Sequence, residues 1–296
     1  MEGMSARFQV RPPDDVAAAF AALVRLRDED LPLDRAAALL ARGLAYPDLD
    51  VAEVLAQLDD LAGGLTVHLP VRRDPAALVE ALRRYLGEEL GFRGPDSRRE
   101  DAYDDPRNSF LNDVLGRRIG LPITLSIVYL EVARRAGIPL VGVGMPLHFV
   151  VKYPLGEAPG EGIFLDPFLR GAILTPQDLR DRFAGQYRGR VPFEEHYLGA
   201  VTKKQLLTRV LLNLRQLALR RNDPRRVLAA LDYQLLIAPW DLEARRDRGL
   251  VALRLGEAAL ALDDLQTYER HATGDPNLPV IRSYIEALRR RFSLGA

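Results

Sequence analysis

Two residues in this chain have the types and placing for acid–base work: His148 and Asp166. His148 stands between Pro146 and the strand-like Phe149-Val150-Val151, and Asp166 ends the next strand-like piece, directly before Pro167. If residues 149–153 and 162–165 form a hairpin, the two side chains meet at one end of it. A carboxylate accepting from one imidazole nitrogen fixes the tautomer and orientation of the ring. That is the orienting half of a catalytic triad. The nucleophile half belongs at the start of a buried helix, where the helix dipole stabilises an anion. The apolar run Ile123 to Ala136 reads as that helix, and the residue that opens it is Pro122, which carries no nucleophile. Ser126 lies one turn further on the same face and is the candidate substitute. Against it, a serine in a buried helix commonly bonds a carbonyl one turn back. Asn108 and Asn112, one helical turn apart, are candidates to donate into the same pocket. The alternative is a helix cap at Asn108 and a loop-satisfying bond from Asn112.

Composition narrows the chemistry. The 296 residues include no cysteine, which excludes disulfides, thiolate metal sites and a thiol nucleophile. Only His68, His148, His196 and His271 are present, and the acidic Glu194-Glu195 beside His196 has no second histidine at metal-ligand spacing. Neither a metal nor a cofactor is therefore expected. The three glycines between 156 and 162 have no helix after them, so they read as a hairpin loop and not a phosphate cradle. Basic and acidic residues balance at 41 each, which argues against nucleic acid or a membrane surface as partner. Leu121 to Leu130 is too short to span a bilayer, and the start lacks a basic stretch followed by an apolar run, so a cytoplasmic protein is expected.

The elements that must position these residues fall into three parts: an N-terminal helical part (1–100) packed on the core, an α+β core (101–200), and a helical module (201–296). In the first, helices are expected over Asp14–Arg27, Leu33–Leu44, Val51–Leu61 and Pro75–Leu90, with Gly63-Gly64 as a strong stop and Asp74 as an N-cap. The polar loop 92–107 is too long for a simple connector, and reads either as a functional loop or as a solvated crossing. In the second, a helix over Ser109–Leu115 and the buried helix precede two or three antiparallel strands, Leu140–Val143, Phe149–Tyr153 and Gly162–Leu165. In the third, Asn222-Asp223, Val227-Leu228 and Leu231 recur 34 residues later, with Ala238-Pro239 and Asp275-Pro276 closing the units at a slip of two to three residues. A 34-residue helix-turn-helix period is the tetratricopeptide signature. This part holds 17 Lys or Arg against 11 Asp or Glu, a solvated basic face or a groove for an acidic peptide.

The ordered set Asn108-Ser109-Phe110-Leu111-Asn112, Gly120-Leu121-Pro122-Ile123, Tyr129-Leu130-Glu131-Val132-Ala133, Gly137-Ile138-Pro139, Gly142-Val143-Gly144, Pro146, His148-Phe149 and Phe164-Leu165-Asp166-Pro167-Phe168 resembles the SirB family of bacterial proteins. The resemblance implies a transglutaminase-like, papain-like core followed by tetratricopeptide repeats. Laid on this chain, the catalytic residues of true transglutaminase-like enzymes fall on Pro122 for the Cys, His148 for the His and Asp166 for the Asp. The SirB family shares the missing thiol. Leu147 stands where a Gly is more usual, which would narrow the approach to the imidazole. What the resemblance implies is a non-catalytic interaction or regulatory protein, with a degenerate cleft and repeats that hold a protein or peptide. The alternative is a thiol-independent hydrolase or acyl-transfer enzyme using His148 and Asp166. The blander possibility is that this pair only holds the hairpin together.

Overall fold

The computed structural model describes residues 14–96, 98, 102–146 and 148–293. They form two compact units that do not follow the boundaries at 100 and 200. One comprises Leu26–Arg42 and Asp48–Val210; the other joins the first helix and Gly43–Pro47 to the chain from Leu211 onward.

In the first of these units, α3 (Val51–Thr66) is capped by Asp50, whose carboxylate accepts from Ala52 N. It runs straight through Gly63-Gly64, so the expected stop fails. Gly64 is there for close approach: a Cβ would lie 2.0 Å from the Tyr85 hydroxyl, whereas one on Gly63 meets nothing. α4 (Pro75–Leu82) starts at its Asp74 cap and continues as a π-helical turn, Arg83–Glu89. The helix expected over Ser109–Leu115 is broken. Pro106–Ser109 is a 3-10 turn capped by Asp105, Phe110 is extended, and α5 (Leu111–Arg117) follows.

The central element is α6 (Pro122–Arg135), buried around most of its circumference and packed on α3, α5 and the sheet. Pro122 at the first helical position needs no N–H partner, and Arg134 and Arg135 suit the negative C-terminal end. Gly137, at φ +71°, lets the chain turn so that Ile138 N bonds Ala133 O. The sheet then forms as four antiparallel strands in sequential order, one more than the sequence shows: β1 (Val141–Met145), β2 (His148–Pro154), β3 (Gly162–Asp166) and β4 (Ala172–Leu174). Its register pairs Val143 with Val150, Val151 with Leu165 and Asp166 with Ala172. Alternation puts Val143, Val150 and Phe164 on one face, where they pack with Leu179 and Phe183 of α7 (Pro176–Tyr187). α7 opens with a reciprocal cap between Thr175 and Asp178.

In the other unit, α1 (Asp14–Val24) packs on α9 (Pro224–Ile237), with Phe20 set edge-on to Tyr233 at 5.0 Å. This first helix and Gly43–Pro47 are thus grouped with the repeats, apart from Leu26–Arg42 and the chain from Asp48. α8 (Lys203–Arg220), of which the part from Leu211 belongs to this unit, precedes α9, and α10 (Leu242–Leu255), α11 (Ala258–His271) and α12 (Leu278–Ser293) follow. The period is visible in backbone geometry. Asn222 and Gly256 both take positive φ, at +52° and +79°. Asp241 bonds Gln234, and one period later Asp275 bonds Tyr268. Asp241 and Asp275 are therefore the equivalent positions, so the slip expected from the two prolines is absent. No helix among the described residues is long and apolar enough to cross a membrane.

Candidate functional site

Asp166 is the last residue of β3 and is fully buried. Its backbone is fixed by the tight turn that follows, where Arg170 and Gly171 take positive φ and Gly171 N bonds Asp166 O at 2.8 Å. Its carboxylate is fully committed. Oδ1 accepts from Phe168 N at 3.1 Å. Oδ2 accepts from His148 Nε2 at 2.9 Å and from Arg182 Nη1 at 2.8 Å. His148 opens β2, so the hairpin does bring the two residues together at one end. A carboxylate can only accept, so Nε2 carries the proton and Nδ1 is left as the acceptor. Nδ1 has no partner among the described residues. The Phe168 ring stands at 89° to the imidazole, 6.4 Å between centroids, and holds it upright.

His148 and Asp166 lie on a cavity of about 280 Å³, with Met145, Leu179 and Phe183 among its apolar walls and Arg182 on its rim. Arg182 is the site residue that sequence reasoning missed. It sits on α7, one turn beyond Asp178 and beside the buried Leu179 and Phe183. Its side chain is 42% exposed, and in sequence it carries no signal beyond standing next to the apolar stripe of Leu179 and Phe183. The Arg182 guanidinium on Oδ2 balances the buried carboxylate charge with a neutral imidazole beside it.

The other expected site residues lie elsewhere. Ser126 is fully buried and its hydroxyl donates to Pro122 O at 2.7 Å, so it is unavailable as a nucleophile. Asn108 neither caps a helix nor faces the cavity. Its Nδ2 donates to Ala102 O, its Oδ1 accepts from Arg117, and its backbone oxygen accepts from Leu121 N, which ties the 92–107 loop to the start of α6. Asn112 is separated from it by the extended Phe110, so the shared helical face does not exist; its Oδ1 is buried without a partner. None of the three lines the cavity. Pro122 is buried at the first position of α6. Leu147 lies outside the described residues. The loop does reach the site: Gly94 N donates to Phe168 O at 2.8 Å, and a Cβ on Gly94 would strike the Phe168 ring. Among the described residues, no group of three or more His, Asp or Glu could hold a metal ion.

Comparison with known proteins shows the family. Residues 52–212 match the family described as the transglutaminase-like superfamily, and residues 214–286 match a tetratricopeptide repeat. A "UPF0162 protein" of Xylella fastidiosa is 36% identical over 271 residues, covering 89% of this chain and 92% of that protein. One of Vibrio cholerae is 30% identical over 73% of this chain and 77% of its own length. The F-box only protein 21 of Mus musculus is 31% identical over 62% of this chain but only 27% of its own length. No solved structure matches the chain.

Proposed function

The chain belongs to the transglutaminase-like superfamily and to the UPF0162 proteins, and on that footing we propose that it is a non-catalytic binding protein of the SirB type. Its core cleft takes a ligand beside His148, and its repeats take a protein partner. The observation that carries this is the start of α6. Pro122 occupies the nucleophile position that the resemblance assigns, and the candidate substitute one turn on, Ser126, is spent on Pro122 O. Without an activated nucleophile there is no covalent route for acyl transfer. Fold alone does not decide function, whereas a proline at this position removes the nucleophile. Purified protein should show no steady hydrolysis of amide or ester substrates. Turnover that disappeared in His148→Ala would overturn the reading.

One observation favours a second reading: His148, whose Nδ1 has no partner among the described residues, lines a cavity. There His148 acts as general base on a water while Asp166 orients it. That mechanism requires turnover with a bell or sigmoid dependence on pH, lost in His148→Ala and weakened in Asp166→Asn. The repeat module supports a protein partner in general, and its basic excess suits an acidic segment.

A further inference from the structure

We propose that a second cavity, at the C-terminal end of α6, binds a small molecule carrying a protonated amine on an apolar body. This cavity has a volume of about 560 Å³, within the usual range for ligand sites. It shares no lining residue with the cavity at His148. Leu33, Leu130, Ile138, Leu140, Val201 and Leu206 form its apolar walls.

The polar side selects the head group. Glu131 lines the cavity at only 3% exposure. Its Oε2 accepts from Arg134 Nε and Nη2, at 2.9 and 2.8 Å, and from Arg135 Nη1 at 2.8 Å. Its Oε1 accepts from no described residue. A carboxylate oxygen to which no described residue donates leaves a place for a ligand that supplies a donor.

The surrounding charge points the same way. Glu131, the buried Asp34 and Asp59 share the guanidiniums of Arg134 and Arg135, so the cationic partners of Glu131 are themselves drawn toward other carboxylates. Arg134 and Gly137 bring the negative end of the α6 dipole to the cavity wall. The remaining charged wall residues are occupied. The Asp28 carboxylate accepts from Lys203 N and Lys204 N, and Lys203 Nζ donates to Glu29 O and Leu31 O. Burial, with Asp34 close by, holds the Glu131 carboxyl above its ordinary range. An ammonium group would offset both effects, so amine binding should tighten as pH rises through that titration.

The test is an NMR titration of the full chain with n-hexylamine, hexanol and hexanoate. The expected result is shifts at Leu140–Gly142 and Val201, with the amine binding about tenfold or more tighter than the alcohol, the strength of one charge-assisted hydrogen bond. Glu131→Gln should erase that preference. Leu140→Trp fills the cavity, leaves the ion network whole, and should abolish binding of all three. Equal binding of amine and alcohol overturns the proposal, as does a folded Glu131→Gln that keeps the preference. If Glu131→Gln does not fold, the amine-to-alcohol ratio and Leu140→Trp decide: unchanged amine binding in Leu140→Trp overturns the proposal. None of these outcomes bears on the His148 cleft.

Discussion

Asp166 in the core and Asp264 in the repeats are both fully buried aspartates, yet they sit in opposite situations. Asp264 is clamped by Arg245 at 3.2 Å and by Arg248 through two bonds at 2.6 and 2.9 Å, while Arg248 also reaches Asp232. Both arginine side chains are themselves mostly buried, at 19% and 16% exposure. Asp264 lies on α11 and both arginines on α10, so the network joins two helices of the repeat. Asp166 instead holds one arginine whose side chain is 42% exposed and one imidazole with a nitrogen to spare. Burial of a carboxylate is thus no mark of function by itself. What separates the two sites is whether a partner that lines a cavity keeps an uncommitted atom.

The largest expected effect tests the closed site. Asp264→Ala strands two arginines inside the repeat and should cost about 3–5 kcal/mol, read by hydrogen exchange at α10 and α11. Next, Asp166→Ala should cost less, about 2–3 kcal/mol, because Arg182 can turn to water. His148→Ala should cost under about 1 kcal/mol, because Asp166 keeps Arg182 and Phe168 N. A reversed order in urea titrations of the three variants would break the comparison.

A smaller effect sharpens what the spare nitrogen faces. Pro122→Cys should be alkylated by iodoacetamide about tenfold faster than Pro122→Cys with His148→Ala, since an imidazole favours the thiolate. Equal rates would remove His148 from the start of α6. Raising NaCl to about 1 M, where charges are screened within about 3 Å, should shrink the Asp166→Asn penalty and leave that of Asp264→Asn nearly unchanged.

The least effect concerns a third buried carboxylate. Burial, with Asp34 second, raises Glu131 above the ordinary 4.5 in the folded state. Folded protein then holds the proton more tightly than unfolded chain. Its contribution is complete below 4.5 and is lost as pH rises through the raised value. Wild type should therefore lose stability relative to Glu131→Gln across that window in pH-resolved thermal melts, and a gain with rising pH would contradict the assignment.

The pairing of His148 with Asp166 was legible because strand alternation and the bounding Pro and Gly residues set a hairpin whose ends must coincide. The repeat was legible for a similar reason: a period is a relation within the sequence. Arg182 was not, since an arginine on an amphipathic helix looks like any solvated charge until its helix is placed against β3. The fate of Ser126 is written locally, in the one-turn reach of its hydroxyl to a carbonyl. Gly64 misled because a glycine in a helix can mean a stop or a close neighbour, and Tyr85, the neighbour, lies on another segment.

The sequence by itself determined that no thiol chemistry is possible, that a proline opens the core helix, that His148 and Asp166 share a hairpin end, and that helices recur every 34 residues. All four follow from composition or from short-range backbone rules. Only the tertiary structure decided that Arg182 shares the Asp166 carboxylate, that Glu131 meets Asp34 from about a hundred positions away, and that His148 keeps one nitrogen free beside a cavity. Those are matters of which side chains exclude water together, and burial depends on contacts between distant segments that no local pattern encodes.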